Sequence, residues 1–425
     1  MNKRNRLILF FVAVAARLIF AYALEGVRDW SDVDRGGELG MIAVNLADGR
    51  GFSDPFGNSP QPTAWFSPMI PLLWAGLFKL TGVYSSLSLH LLMLVQALLG
   101  GLVVLGFSAL LETLRVRRVF WASLVFALWP ESLKLYAFPW YFVFQDLGML
   151  GIIFLGLLWF HSGCWTSAIL LGLVAGCTML VNPIPLLLFG WILLGGVCQH
   201  RSIVAILQSV SAVLLAFAVL SPWALRNHEA LGRAQPFRGN FGIELRQGND
   251  VNATLAQAST SRHPALNDEE LNLYRELGEV EYEHRAKEEA FGYMLKHPWV
   301  TIRRTLTRVY LFWCSDLLDQ HAWAERPPWW QQGGLAAVQR LVLSLAALLP
   351  VCCALIGLFA GRLHRVRYAW LWAGIVVLVP APYYLTHVVA LYPLAFKPYL
   401  LLWVLEAWLG SREDPSVPES TGSKG

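Results

Sequence analysis

SLSLHLLMLVQALLGGLVVLGFSALLET, residues 86–113, decides the fold. Its one formal charge is Glu112, near the end, and apart from His90 and Gln96 the rest is apolar or small. Crossing a bilayer takes roughly 20 mostly apolar residues in one helix, and this run is long enough. Runs of the same kind recur at 7–25, 119–137, 141–160, 164–181, 183–199, 203–223, 335–361, 368–388 and 394–410. They predict an all-α polytopic membrane protein, a bundle of about ten transmembrane helices. The 164–199 pair forms a tight hairpin broken at Pro183.

Composition agrees. Of 425 residues, 56% are hydrophobic and 15% charged, against about 25% charged in a soluble domain. The mean hydropathy is +0.48. Trp favours membrane–water interfaces, and there are 19. The stretch Leu7 to Leu24 is long for a signal core and lacks a small-residue cleavage site, so it reads as a retained first span. A net charge of +4, with basic residues in short clusters, leaves no face large enough for nucleic acid. Cys164, Cys177, Cys198, Cys314, Cys352 and Cys353 lack zinc-like spacing and are expected as small core hydrophobes rather than a disulfide framework.

Basic residues in short loops mark the cytoplasmic side. Lys3, Arg4 and Arg6 precede the first span; Arg115, Arg117 and Arg118, then Arg201, then Arg362, Arg365 and Arg367 follow later ones. An even number of spans with the N-terminus inside puts all four clusters, and both termini, in the cytoplasm. Two long segments then face outward. The first, 26–85, belongs to an N-terminal transmembrane module (1–223), and its stretch from Ser67 to Leu80 is expected as a helix lying in the interface. The second, 224–334, is expected to be mostly helical from Asn267 to Lys296. Its residues 300–313 alternate Arg303, Arg304 and Arg308 with Leu306, Val309, Leu311 and Phe312, the pattern of an amphipathic surface helix. Transmembrane helices at 335–410 and a disordered tail at 411–425 complete the chain.

The chemistry-bearing residues sit at the expected outer ends of the spans. Asp32, Asp34 and Glu38 follow the first span, and on a helix Asp34 and Glu38 would share a face. Carboxylates there suit removal of a proton from an acceptor hydroxyl or the holding of a divalent ion against a phosphate; the plain alternative is solvated loop acids. Asp146, at the outer end of the fourth span, is a third acid, and an intramembrane carboxylate is usually functional. Glu131 reads as a surface acid. Arg226 lies beside a span end, where guanidinium binds phosphate bidentately or simply anchors at headgroups. Lys397 opens the last span.

Several elements resemble one family. Gly51-Phe52, Pro62-Thr63-Ala64-Trp65, Pro68-x-x-Pro71 and Phe78-Lys79-Leu80-Thr81-Gly82 are similar to the first external loop of C-type glycosyltransferases, in the protein O-mannosyltransferase and Rgt-like branch. Ser221-Pro222-Trp223-Ala224-Leu225-Arg226-Asn227, followed by Gly239-Asn240-Phe241-Gly242-Ile243-Glu244-Leu245, resembles that family's P-W-x-x-R-N element and Gly/Asn-rich turn. Leu180-Val181-Asn182-Pro183 is a looser match.

The resemblance implies a GT-C-like bundle with external juxtamembrane helices. It implies an inverting transferase that takes sugar from a polyprenyl-phosphate donor and passes it to a lipid, glycan or protein acceptor outside a bacterial-type plasma membrane. Asp34 would be the base and Glu38 a second polar group, their roles exchangeable. Arg226 and Lys397 would hold the donor phosphate, and Trp223, Asn227, Asn240, Tyr392 and His387 are further site candidates. A divalent cation, Mg or Mn, is a candidate cofactor, with Asp34 and Asp146 its ligands if transfer is metal-dependent. The chain departs from the family in two places: the usual acidic position falls on Arg35, and Leu391-Tyr392-Pro393 stands where an R-Y-R element is common. The alternatives are a lipid-linked sugar flippase, against which stand the missing internal repeat and the polar groups at span ends, and a catalytically inactive scaffold.

Overall fold

The computed structural model describes residues 1–57, 61–254, 260–314, 334–389 and 391–410. The expected tail at 411–425 and parts of 224–334 lie outside them. The chain is an all-α polytopic membrane protein. Among the described residues no strand forms; two isolated bridges pair Ser53 with Pro62 and Val116 with Gly410.

Helix α1 (Lys3–Ile19) runs on through a π-helical turn, Phe20–Leu24. The first long loop holds α2 (Gly37–Ala47) and the apolar α3 (Met69–Thr81). Then α4 (Ser86–Thr113), α5 (Val119–Ala127), α6 (Pro130–Ala137), α7 (Phe142–Ser162), α8 (Trp165–Met179), α9 (Pro185–His200) and α10 (Ile203–Leu231) pass back and forth through the bundle. A polar layer follows: α11 (Phe241–Gly248), α12 (Asp268–Leu277), α13 (Glu279–Lys296) and α14 (Pro298–Cys314). Helices α15 (Gly334–Phe359), α16 (Ala369–Val377), α17 (Ala381–Leu385), α18 (Leu391–Leu394) and α19 (Lys397–Leu409) return to the bundle.

Among the described residues five helices are long and apolar enough to cross a membrane: Lys3–Leu24, Ser86–Thr113, Phe142–Ser162, Ile203–Leu231 and Leu341–Phe359. The expected count of about ten is therefore not met by length. Proline makes two of the breaks, since it lacks an N–H and its ring clashes with the preceding turn. Pro130 opens α6 and divides 119–137, and Pro380 precedes α17 and divides 368–388. Small residues set the tightest crossing. Gly172 and Gly176 of α8 meet Ala212 and Ala216 of α10, and a Cβ on Gly172 would stand 2.4 Å from the Ala212 carbonyl oxygen. Closely approaching backbones of this small-xxx-small kind drive helix association where lipid removes the hydrophobic incentive.

The two ends of the bundle differ. At one, Met1 and Arg6 pair with Glu112 (2.5 and 2.8 Å), Arg117 N–H bonds the Leu409 carbonyl (3.0 Å), and the short turns carry Arg115, Arg118 and Arg201. At the other lie 26–85 and α11–α14, docked through Gly239 N–H to Ala64 (2.7 Å) and Asn249 to Leu385 (2.8 Å).

Two expectations change. In α14, Arg304 and Arg308 are buried rather than turned to headgroups: Arg304 donates to the Asp250 and Ala253 carbonyls, Arg308 to those of Leu385 and Gly248. Trp299, Ile302, Leu306 and Tyr310 form the exposed face. The loop carbonyls need donors more than the surface needs charge, because an unpaired buried carbonyl costs free energy. The cysteines are free thiols, but Cys164, Cys177, Cys198 and Cys352 are exposed on the outside of the bundle rather than in its core.

Candidate active site at one end of the bundle

The approach to α2 is built from residues with positive φ: Asp34 (51°), Arg35 (47°), Gly36 (77°) and Gly37 (52°). Regular α-helical geometry begins only after Gly37, so Asp34 and Glu38 do not share a helix face as their spacing suggested. Asp34 is exposed, and its charge bears on Tyr84, whose hydroxyl donates to the Arg35 carbonyl at 3.2 Å. Glu38, in the first turn of α2, points elsewhere. Its Oε1 is 3.6 Å from His263 Nε2.

A second group comes from the turn before α11. Arg238 Nε donates to Asn240 Oδ1 at 2.7 Å, and its Nη2 lies 3.3 Å from Glu244 Oε1. Asn240 Nδ2 holds the same Glu244 oxygen at 2.7 Å. Glu244 Oε2 in turn stands 3.4 Å from His387 Nδ1, without the alignment of a hydrogen bond. The Arg238 guanidinium lies 5.0 Å over the Phe66 ring. Burial works against its charge, but Glu244 and the hydroxyls of Tyr141, Tyr392 and Tyr383 outweigh that and raise its pKa. Its Nη1 has no protein acceptor among the described residues, which leaves a fixed donor for an anion.

Tyr392 stands beside the second group, next to His387. This phenol is pushed well above its ordinary pKa by burial first, then by Glu244 and Tyr141, with Arg238 opposing and Glu38 adding to the rise. Its ring stacks on Tyr383 at 4.3 Å and lies 6.1 Å from His387. The Glu244 carboxylate, the half-buried Arg238 guanidinium and the Tyr392–Tyr383 wall thus adjoin one another, at the same end of the bundle as Glu38. Such a set can take up a proton, hold an anion and stack on a sugar ring.

The other sequence candidates have different surroundings. Arg226 Nη1 donates to the Thr63 carbonyl at 2.6 Å and to Asn227 Oδ1 at 2.9 Å, and its Nη2 to the Phe52 carbonyl at 2.5 Å. Its guanidinium lies 5.3 and 5.1 Å over the rings of Phe52 and Trp223. Asn227 Nδ2 donates to the Gln235 carbonyl at 2.7 Å. Arg226, Trp223 and Asn227 therefore brace the first loop, and the acid whose charge bears on Arg226 is Glu279. Lys397 is buried in an ion pair with Glu131, so the latter is not the surface acid its loop position suggested. Asp146 accepts from the hydroxyls of Tyr136 (2.5 Å) and Tyr399 (3.4 Å) inside the bundle.

Among the described residues no group of three His, Cys, Asp or Glu side chains is arranged to hold an ion. Sequence reasoning gave no role to Arg238, Glu244 or His263. The first two lie in or beside the Gly239–Leu245 element, where a signal existed; His263 is a lone histidine in a polar loop.

No family model and no curated protein matches the sequence. The chain is similar to a solved structure, the archaeal oligosaccharyltransferase AglB from Archaeoglobus fulgidus in complex with an inhibitory peptide and a dolichol-phosphate. Identity is 12%, the TM-score is 0.47, and the match covers 94% of this chain and 50% of that one. This chain thus spans about half the length of that protein.

Proposed function

We propose that the chain is a membrane glycosyltransferase of the C-type fold, which moves a sugar from a polyprenyl-phosphate donor to an acceptor hydroxyl with inversion. The observation that carries this reading is the Arg238 guanidinium, held by Asn240 and Glu244 beside His387 and Tyr392, at the same end of the bundle as Glu38. A lipid tail among those helices would bring its phosphate to that level. The opposite end collects the Arg-rich turns, which supports an external site, with both termini in the cytoplasm of a bacterial-type cell.

In the reaction, the Glu38 carboxylate takes the proton of the acceptor hydroxyl while that oxygen attacks the anomeric carbon. The bond from that carbon to the phosphate oxygen breaks, and its electron pair stays on the phosphate. Arg238 Nη1 stabilises the charge developing there, an effect that grows where water is excluded. Polyprenyl phosphate leaves toward the membrane. Tyr392 and Tyr383 supply a face for the sugar.

Membranes containing the full chain, given radiolabelled polyprenyl-phosphate sugar, test this directly. Wild type transfers label, and Glu38→Gln slows transfer by roughly 100-fold or more, the usual effect of losing a general base. A wild type without transfer, or Glu38→Gln at full rate, overturns the reading.

A further inference from the structure

His263 is held on three sides. Phe56 and Trp65 meet its ring edge-to-face, with centroids 6.0 and 5.8 Å away. Its Nδ1 accepts the backbone N–H of Ala265 at 3.1 Å. Next to it, Arg262 is anchored by Asp250 (3.2 Å) and Glu270 (2.9 Å), which fixes the backbone that carries the ring. Since Nδ1 is an acceptor, the neutral imidazole carries its proton on Nε2. That nitrogen faces Glu38 Oε1 at 3.6 Å. Contacts of this length at catalytic carboxylates commonly tighten when substrate closes the site.

We propose that His263 is the positioning residue for Glu38, its Nε2–H fixing one carboxylate oxygen so that the other is aimed at the acceptor hydroxyl. The inference rests on the reading of Glu38 as the base and adds a partner to it. The imidazole takes no proton from the acceptor; it holds the group that does. Free rotation of an unheld glutamate in the first turn of α2 would spread its oxygens over several rotamers. A misplacement of about 1 Å at a reacting group can cost 10²-fold in rate.

Two substitutions separate this role from packing. His263→Phe keeps an aromatic ring between Phe56 and Trp65 but has no N–H; His263→Gln keeps an amide donor but loses the ring. With both substrates varied, His263→Phe lowers kcat by roughly 10- to 100-fold with KM values unchanged, and His263→Gln recovers most of it. In the Glu38→Gln background, His263→Phe causes no further loss. Full turnover by His263→Phe, or equal loss in both variants, overturns the inference. If wild type transfers no sugar, the proposed function fails, and the contact is judged by thermal midpoints of Glu38→Gln, His263→Phe and the double variant. Non-additive shifts then uphold the pairing and additive shifts reject it.

Discussion

Arg226 donates to the carbonyl oxygen of Thr63 at 2.6 Å, and so a guanidinium at the end of α10 holds down the first long loop. Its second bond, to Phe52, grips the same loop at the other arm of the Ser53–Pro62 bridge. Arg226→Ala leaves both carbonyls without their charged donor, at a cost of about 2–4 kcal/mol. Limited proteolysis of detergent-solubilised protein should then cut between residues 48 and 66 faster than in wild type. Arg226→Lys restores little, because one ammonium does not span two carbonyls as the fork does.

Thr63 also donates its hydroxyl to Glu279, which accepts the Ala64 N–H (2.7 Å) and the Tyr274 hydroxyl (3.0 Å) as well. Burial raises the Glu279 pKa from 4.5 to about 7, against the pull of those donors. An acid that holds its proton more tightly when folded stabilises the fold fully below its unfolded pKa of 4.5, and that contribution is lost as pH rises through about 7. The thermal midpoint should therefore fall between pH 5 and 8, by a stability difference on the order of 3 kcal/mol. Glu279→Gln should flatten that slope.

Lys397 and Glu131 form a buried pair between α19 and α6, with 3% and 2% of their side-chain surface exposed. Lys397→Met strands a carboxylate among apolar helices and should cost about 3–5 kcal/mol. Replacing both residues with Met should cost clearly less than Lys397→Met alone. Thermal midpoints of the three variants measure the coupling.

Asp34 and Arg35 hold left-handed backbone without being glycine, which costs roughly 1–2 kcal/mol per residue. Arg35→Gly should raise the stability by about 1 kcal/mol. Asp34→Asn, on the Tyr84 side of the loop, should transfer sugar at a rate near wild type, in contrast to Glu38→Gln. Parallel rates for the two acids in one membrane assay decide between them.

Membrane character was legible because lipid imposes it on every residue of a run such as 86–113. The span count was less so. Hydropathy at 119–137 and 368–388 does not register that Pro130 and Pro380 end one helix and start another. Around the site, charge at a span end was readable, but what each charge faces was not. Arg226 and Lys397 stood out in the sequence, yet one meets loop carbonyls and the other Glu131, and neither partner is close in the chain. Glu38 was visible as an acid near a helix start; His263 became meaningful only when the fold placed it opposite. Arg304 and Arg308 were read on a surface face because apolar neighbours normally define the buried side. Here the carbonyls of 248–253 and 384–385 reversed it.

The most direct measurement is a density map of the full chain in lipid with bound polyprenyl phosphate. The account predicts phosphate density against Arg238 Nη1, beside Tyr392 and within reach of Glu38. Phosphate seated instead on Arg226, on Lys397, or at the arginine-rich end of the bundle would contradict it.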